Sequence, residues 1–160
     1  MFKLSEEGLT FVKKELERYE TKRSAIIPCL YRVQQENGGW VSQECVSYLS
    51  EVMDIPEAWI NEVFNFYTMF NKEPVGKLHV QVCNNITCCM LGARELTDHL
   101  CKTFNVTPET LSADGKITIS KVECLGSCDT APMMQINENY HENLTPASAE
   151  KIIKDLMNGN

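Results

Sequence analysis

The feature that most constrains this chain is the placing of its cysteines. The sequence has eight cysteines in 160 residues. Six of them follow Gly76, at Cys83, Cys88, Cys89, Cys101, Cys124 and Cys128. The first ten residues, MFKLSEEGLT, lack the apolar core of a signal peptide, so we expect a cytoplasmic protein with reduced thiols. Clustered, reduced cysteines indicate metal or redox chemistry rather than disulfides.

Residues 1–76 have the apolar period of helices. Apolar side chains recur at intervals of three and four residues in four segments, which is typical of helices that bury one face. Ser5 and Ser42 suit helix N-caps, and Pro28 should kink the second helix or lie in its first turns. We predict a small helical bundle from the segments 5–20, 22–37, 43–52 and 56–64.

From Lys77 onward the pattern changes to alternating strands and helices. The run LHVQVC alternates and is rich in branched residues, as a half-buried strand should be. Pro74 and Gly76 mark a linker before it. We predict strands at 78–83, 116–124 and 133–137, a helix at 91–104, and a last helix that Thr145-Pro146 caps. The fold class is therefore α+β with two domains, a helical bundle at 1–76 and an α/β domain at 77–160.

Four of the cysteines form two close pairs that follow predicted strands. Cys83 and Cys88 have the spacing C-x4-C, and Cys124 and Cys128 have the spacing C-x3-C. Loops that leave neighbouring strands at the same sheet edge can converge, so four thiolates could surround one metal centre. Two pairs suit a [2Fe–2S] cluster, in which each iron needs two thiolates. Backbone N–H groups of Gly126, of Ser127 and of the 84–88 turn could donate to the sulfides.

Other uses of paired cysteines compete with this interpretation. A structural zinc site also takes four cysteines in two pairs, and ligand softness does not separate zinc from iron–sulfur. A redox dithiol of the thioredoxin kind needs C-x-x-C, which the sequence lacks. Spacing alone therefore leaves the cluster and the zinc site open.

Several segments resemble the thioredoxin-like [2Fe–2S] ferredoxin family. Within that family they are most similar to the small ferredoxin subunits of the NADH dehydrogenase module of respiratory complex I. The resemblance covers nearly the whole chain. It is carried by CLGSCDTAPMMQIN (124–137) with HENLTP (141–146) after it, and by VCNNITC (82–88), RSAIIPCL (23–30) and NFYTMF (65–70).

The resemblance implies a thioredoxin-like C-terminal domain and a set of ligands. Cys83 and Cys88 would bind one iron of a [2Fe–2S] cluster, and Cys124 and Cys128 would bind the other. Cys89, directly after a ligand, is expected not to bind iron. Thioredoxin-like folds often have a cis proline before a strand, so we also expect a cis Ala131–Pro132 bond.

The resemblance also implies a function in a larger assembly. The chain would be an electron-transfer subunit of an NADH:quinone oxidoreductase, with no catalytic site of its own. Its cluster would exchange single electrons with FMN on the NADH-binding flavoprotein subunit, which also carries a [4Fe–4S] cluster. NAD-dependent hydrogenases and formate dehydrogenases share this module. The alternative of a different class is a zinc-binding docking module that carries no electrons.

Charge and hydropathy exclude other partners. The formal net charge is −7 and the pI is about 5.0, the wrong sign for binding nucleic acid or anionic lipid. No stretch approaches the roughly 18 apolar residues that span a bilayer. We therefore expect a cytoplasmic protein that is peripheral to the membrane as part of a complex.

The remaining cysteines and histidines fit ordinary structural roles. Cys29, Cys45 and Cys101 lie in apolar helical patterns, where a free thiol packs as a small hydrophobe. We assign no metal to His79, His99 or His141. An apolar run at Phe64, Phe66, Tyr67, Met69 and Phe70 either packs between the two halves or faces the partner.

Overall fold

Four α-helices and one 3₁₀ turn form the first unit of the computed structural model, which describes residues 2–159. The chain divides into two units, one ending at Pro74 and one beginning at Val75. We placed the boundary after Gly76, two residues further on. That the two units are independent domains stays a prediction. The helices are α1 (Glu6–Arg18), α2 (Ile26–Glu36), α3 (Gln43–Met53) and α4 (Glu57–Phe66), and the 3₁₀ turn is Lys22–Ala25.

Local chemistry sets the ends of these helices. The Ser5 and Ser42 hydroxyls accept hydrogen bonds from the backbone N–H groups of Gly8 and Cys45, which confirms both predicted N-caps. Pro28 lies in the first turn of α2, where its missing N–H costs nothing. Pro56 is one position earlier than predicted, at the N-cap of α4 rather than inside the helix.

The apolar faces of these helices form a core of their own. Its fully buried side chains include Val12, Ile26, Leu30, Leu49 and Ile60. The predicted apolar run after α4 is split between core and surface. Phe64 and Phe70 are buried and Met69 packs against the core, whereas Tyr67 is exposed and Phe66 is 77% exposed.

A half-buried carboxylate joins the start of α1 to the end of α2. Glu36 accepts hydrogen bonds from the Ser5 backbone N–H at 2.7 Å, the Ser5 hydroxyl at 2.8 Å and Arg32 Nε at 2.7 Å. Burial alone would raise the pKa of Glu36, but the Ser5 bonds and Arg32 outweigh it and hold the pKa below its usual value. The ionised form therefore stabilises the folded unit.

We expect Glu36→Gln to destabilise the protein at pH 7 by about 1–3 kcal/mol, the typical worth of hydrogen bonds to a charged group. The folded pKa is depressed, so this stabilisation is complete above the unfolded pKa of about 4.3 and is lost as the pH falls through the folded pKa. Urea denaturation followed by circular dichroism should show that the difference in free energy of unfolding between variant and wild type disappears below about pH 4. Glu17→Gln, on the exposed face of α1, is the matched control and should change little. A difference in unfolding free energy that does not change with pH would contradict the stabilising role of ionised Glu36.

The second unit is an α/β structure. Its strands are β1 (Leu78–Cys83), β2 (Ile117–Val122), β3 (Met134–Ile136) and β4 (Asn139–His141). Its helices are α5 (Ile86–Met90), α6 (Ala93–Phe104) and α7 (Pro146–Met157), and Cys128–Thr130 is a 3₁₀ turn. The three predicted strands and two predicted helices are confirmed, with β2 and β3 shorter than expected. The short elements α5 and β4 were not predicted.

One four-stranded sheet organises this unit, in the order β2-β1-β3-β4. β1 and β2 are parallel and joined by the α5–α6 crossover, with Cys83 opposite Val122. β3 is antiparallel to β1, and β4 forms a hairpin with β3. The parallel pair matters most for the site, because it brings the carboxyl ends of β1 and β2 to the same edge of the sheet.

Helices and the sheet enclose the second core. Leu96 and Leu100 of α6 and Ile153 of α7 pack with the strand residues, and all are essentially buried. Gly76 also lies close to the sheet. A Cβ there would come within 2.5 Å of the Ile117 backbone, so this position requires glycine. Thr145 is the N-cap of α7, as predicted, and it forms a capping box with Ser148.

The Ala131–Pro132 peptide bond is cis, as predicted. Across residues 2–159, no helix is both long enough and apolar enough to cross a membrane.

Candidate metal centre

The parallel pairing of β1 and β2 places both cysteine pairs at one edge of the sheet. Cys83 is the last residue of β1, and Cys88 lies on α5. Cys124 follows the end of β2, and Cys128 opens the 3₁₀ turn. The backbone N–H of Asn84 donates to the Val122 carbonyl at 2.8 Å, so β1 and β2 stay hydrogen-bonded up to their carboxyl ends. The loops that carry the pairs thus begin side by side.

The thiols themselves interact across the two loops. The Cys83 side chain hydrogen-bonds with the thiols of Cys88 and Cys124. Cys88 interacts with the charge on Cys83 and with that on Cys128. The Cys83–Cys124 interaction thus links the first pair to the second, and Cys88 is near enough to Cys128 for the charge on Cys128 to raise the pKa of Cys88.

The interacting thiols have opposite pKa shifts. Burial acts on Cys83, but backbone N–H groups of Asn85 and Leu125 and the neighbouring thiols outweigh it and lower the pKa of Cys83. Burial and the hydrogen bond to Cys83 raise the pKa of Cys88 to about 11, although the Met133 N–H opposes this. The two thiols therefore titrate as a coupled pair, with Cys83 the more acidic of the two.

Backbone donors surround the sulfur atoms. Besides Asn85, Leu125 and Met133, the Gly126 N–H lies 3.4 Å from Cys124 Sγ. Gly126 has φ +83°, a left-handed conformation that other residues rarely adopt. Gly126 and Asn85 of the 84–88 turn, expected as donors to sulfide, donate to cysteine sulfur here, and no such bond is described for the Ser127 N–H. Leu125 and Met133 were missed, because a backbone N–H leaves no signature in the residue type.

The two pairs differ in exposure. Cys83 and Cys88 are each 2% exposed and belong to the second core, whereas Cys124 and Cys128 are exposed. A group held between the pairs would therefore be covered by protein on one side and face outward on the other. Three large apolar side chains next to the first pair are also exposed, namely Ile86, Met90 and Leu91.

The other cysteines and the histidines have separate surroundings. Cys89 Sγ is directed to Asn84, 3.3 Å from its carbonyl oxygen and 3.1 Å from Oδ1. Cys29 and Cys45 are buried in the first core as expected, and burial followed by Glu15 raises the pKa of Cys29 to about 12. Cys101 is only partly buried, on the edge of the second core.

None of the three histidines has a described contact with these thiols. His79 pairs with Ser120 at 2.9 Å inside the second unit, and burial lowers its pKa. His99 pairs with Glu150 at 2.6 Å. His141 Nε2 is buried and has no hydrogen-bond partner among the described residues.

The donor set fits a two-iron group. Within residues 2–159, no three His, Cys, Asp or Glu side chains are arranged to hold a single metal ion. A [2Fe–2S] cluster would take four thiolates, two from each cysteine pair. Two thiol pairs on facing loops, with several backbone N–H groups aimed at sulfur, are the ligands and outer donors that such a group uses.

Comparison with known proteins points the same way. Residues 12–157 match the model of the thioredoxin-like [2Fe–2S] ferredoxin family. An NADH-quinone oxidoreductase subunit of Rickettsia bellii is 37% identical over 159 residues, which cover 98% of this chain and 95% of the relative. An NADH-quinone oxidoreductase subunit of Thermus thermophilus is 38% identical over 152 residues, covering 93% of this chain and 83% of the relative.

A solved structure shares the fold. A chain of an NAD⁺-reducing [NiFe]-hydrogenase in the air-oxidised state superposes with a TM-score of 0.69 at 22% identity, over 81% of this chain. Our chain corresponds to only 23% of that hydrogenase chain. The family match over nearly the whole length and the two relatives above 35% identity lead to one conclusion. This chain belongs to the thioredoxin-like [2Fe–2S] ferredoxin family.

Proposed function

We propose that this chain is an electron-transfer subunit of an NADH:quinone oxidoreductase, the respiratory complex I type of enzyme. Its [2Fe–2S] cluster is held by Cys83 and Cys88 on one iron and by Cys124 and Cys128 on the other. The observation that carries the proposal is that the two thiol pairs follow adjacent parallel strands at one edge of the sheet, with Cys83 beside Cys124. The names of the relatives, which are subunits of NADH-quinone oxidoreductases, support the parent enzyme.

When bound, the cluster accepts and returns one electron at a time. The chain's own residues hold it and set its surroundings. The buried pair, Cys83 and Cys88, fixes one side in the core, where water is excluded. The N–H groups of Asn85, Leu125, Gly126 and Met133 stabilise negative charge on sulfur. No acid, base or nucleophile on this chain is needed for electron transfer.

Electron exchange takes place on the side of the exposed cysteine pair. Cys124 and Cys128 face outward, so a redox group on another subunit can approach without this chain opening. We propose that this group is FMN on the NADH-binding flavoprotein subunit, which also carries a [4Fe–4S] cluster. The chain then works in the peripheral part of a larger respiratory complex, with residues 1–76 and 77–160 as its two domains.

Metal and sulfide content test the proposal against the zinc docking module. Purified protein should be reddish-brown, with about two irons and two acid-labile sulfides per chain and a reduced-state EPR signal. Colourless protein with one zinc per chain would contradict the proposal. Co-purification followed by mass spectrometry then separates a complex I partner set from that of a hydrogenase or formate dehydrogenase.

A further inference from the structure

The loop from Cys124 to Pro132 holds the two exposed thiols, yet it has little regular structure. It begins after β2 ends at Val122, and it contains only the 3₁₀ turn Cys128–Thr130. Its thiols are not packed into the core as Cys83 and Cys88 are. Leu125 and Ala131 are partly buried against the second core, so hydrogen bonds must hold the rest of the loop, which is otherwise free to move.

Side chains of one short segment, residues 140–144, bind this loop. The Tyr140 hydroxyl donates to the Leu125 carbonyl at 2.8 Å. The Glu142 carboxylate accepts from the Thr130 hydroxyl at 2.7 Å and also from the Ser127 hydroxyl. Ser127 and Thr130 thus share one acceptor, and they lie on either side of Cys128.

Backbone groups of the same segment bind the end of the loop. The Asn143 N–H donates to the Thr130 carbonyl at 2.7 Å, and the Leu144 N–H donates to the Pro132 carbonyl at 3.0 Å. Asn143 has φ +51°, a left-handed conformation that asparagine tolerates, and this turns two successive N–H groups toward the loop. Leu144 is 6% exposed and anchors the segment in the second core.

Residues 140–144 contact the loop at several points along its length, and Glu142 is the one member that binds it through a charged group. Hydrogen bonds to a charged acceptor are roughly twice as strong as those between neutral groups. The Ser127 and Thr130 bonds also lower the pKa of Glu142, so the carboxylate is ionised at neutral pH.

We propose that residues 140–144 are a strap that holds the Cys124–Cys128 loop in its ligating conformation, with Glu142 as the positioning residue. Burial in the core keeps Cys83 and Cys88 rigid. The strap does the same for the exposed pair, Cys124 and Cys128. Glu142 acts through Ser127 and Thr130 and does not touch iron. The effect on cluster retention rests on the function proposed above, whereas the effect on the loop does not.

The test compares three variants of the full-length chain. Glu142→Ala removes the acceptor, whereas Glu142→Gln keeps an acceptor oxygen and removes the charge. Asp129→Ala is the control, since it removes a carboxylate from the loop itself that is not part of the strap. Two quantities are measured: the rate at which an iron chelator bleaches the visible absorbance, and amide exchange of residues 124–132 in the iron-free chain.

We expect Glu142→Ala to lose its absorbance about tenfold faster than wild type, because it loses the two exposed hydrogen bonds from Ser127 and Thr130 to a charged group. Its 124–132 amides should exchange faster, while its circular dichroism melting midpoint stays near that of wild type. Glu142→Gln should lie between Glu142→Ala and wild type, because it keeps an acceptor oxygen but loses the charge, and Asp129→Ala should stay within about twofold of wild type.

Two outcomes would overturn the strap. One is a Glu142→Ala variant that matches wild type in both measurements. The other is equal acceleration in all three variants, which would assign the effect to charge alone. Wild type without iron would refute the function proposed above, and the exchange comparison would still decide the strap.

Discussion

Replacing Cys124 by alanine is expected to remove most of the iron and acid-labile sulfide from the purified protein. Each iron needs two protein thiolates, and Cys124 contributes one of them in our assignment. Its thiol is exposed and contacts Cys83, so the change removes a ligand without opening a cavity in the core. The visible absorbance and the reduced-state EPR signal should fall to a small fraction of wild type, with the melting midpoint of the iron-free chain unchanged.

The neighbouring thiol at Cys89 provides the matched control. Cys89 directly follows Cys88, but its sulfur is directed to Asn84 rather than to the other thiols. Cys89→Ala should therefore keep two irons per chain and an unchanged EPR signal. If Cys89→Ala lost the cluster and Cys124→Ala kept it, our ligand set would be wrong.

The second large effect is on stability. Leu100 of α6 is completely buried in the core of the second unit. Leu100→Ala leaves a cavity there and should cost about 2–5 kcal/mol in the free energy of unfolding. Leu156→Ala on α7 is the control, because Leu156 is 41% exposed and should cost far less. Urea denaturation followed by circular dichroism measures both, and equal costs would contradict the described packing of α6.

The same variant tests whether the two units are separate domains. Both tryptophans, Trp40 and Trp59, lie before Pro74 and so report on the first unit. If the units unfold independently, Leu100→Ala shifts the circular dichroism transition of the second unit and leaves the tryptophan fluorescence midpoint where it was. A fluorescence midpoint that moves with it would show that the two units unfold together.

Most regular elements could be predicted because their signals are local. The apolar period, the N-caps at Ser5, Ser42 and Thr145, and the proline in the first turn of α2 depend on residues close together in the sequence. The elements α5 and β4 were missed because they are too short for a period to appear. β4 has three residues, and its pairing with β3 provides the hydrogen bonds that its own sequence does not predict.

The site was only partly predictable for a similar reason. The four cysteines and Gly126 are visible as residue types at fixed spacing, and the resemblance assigned them to one cluster. The donors at Leu125 and Met133 are backbone groups, and Glu142 is an exposed acidic residue like many others in an acidic chain. Their roles depend on which loops the sheet brings together.

Residue patterns along the chain therefore predict the local helices and strands, the two thiol pairs and, through resemblance, the family. The folded chain adds that β1 and β2 are adjacent and parallel, that Cys83 interacts with Cys124, and that residues 140–144 bind the second loop. The spacing of residues along a chain indicates only contacts between residues that are close in sequence. Contacts between distant segments are set by strand pairing and by the packing of both faces of the sheet, which involve the whole unit at once.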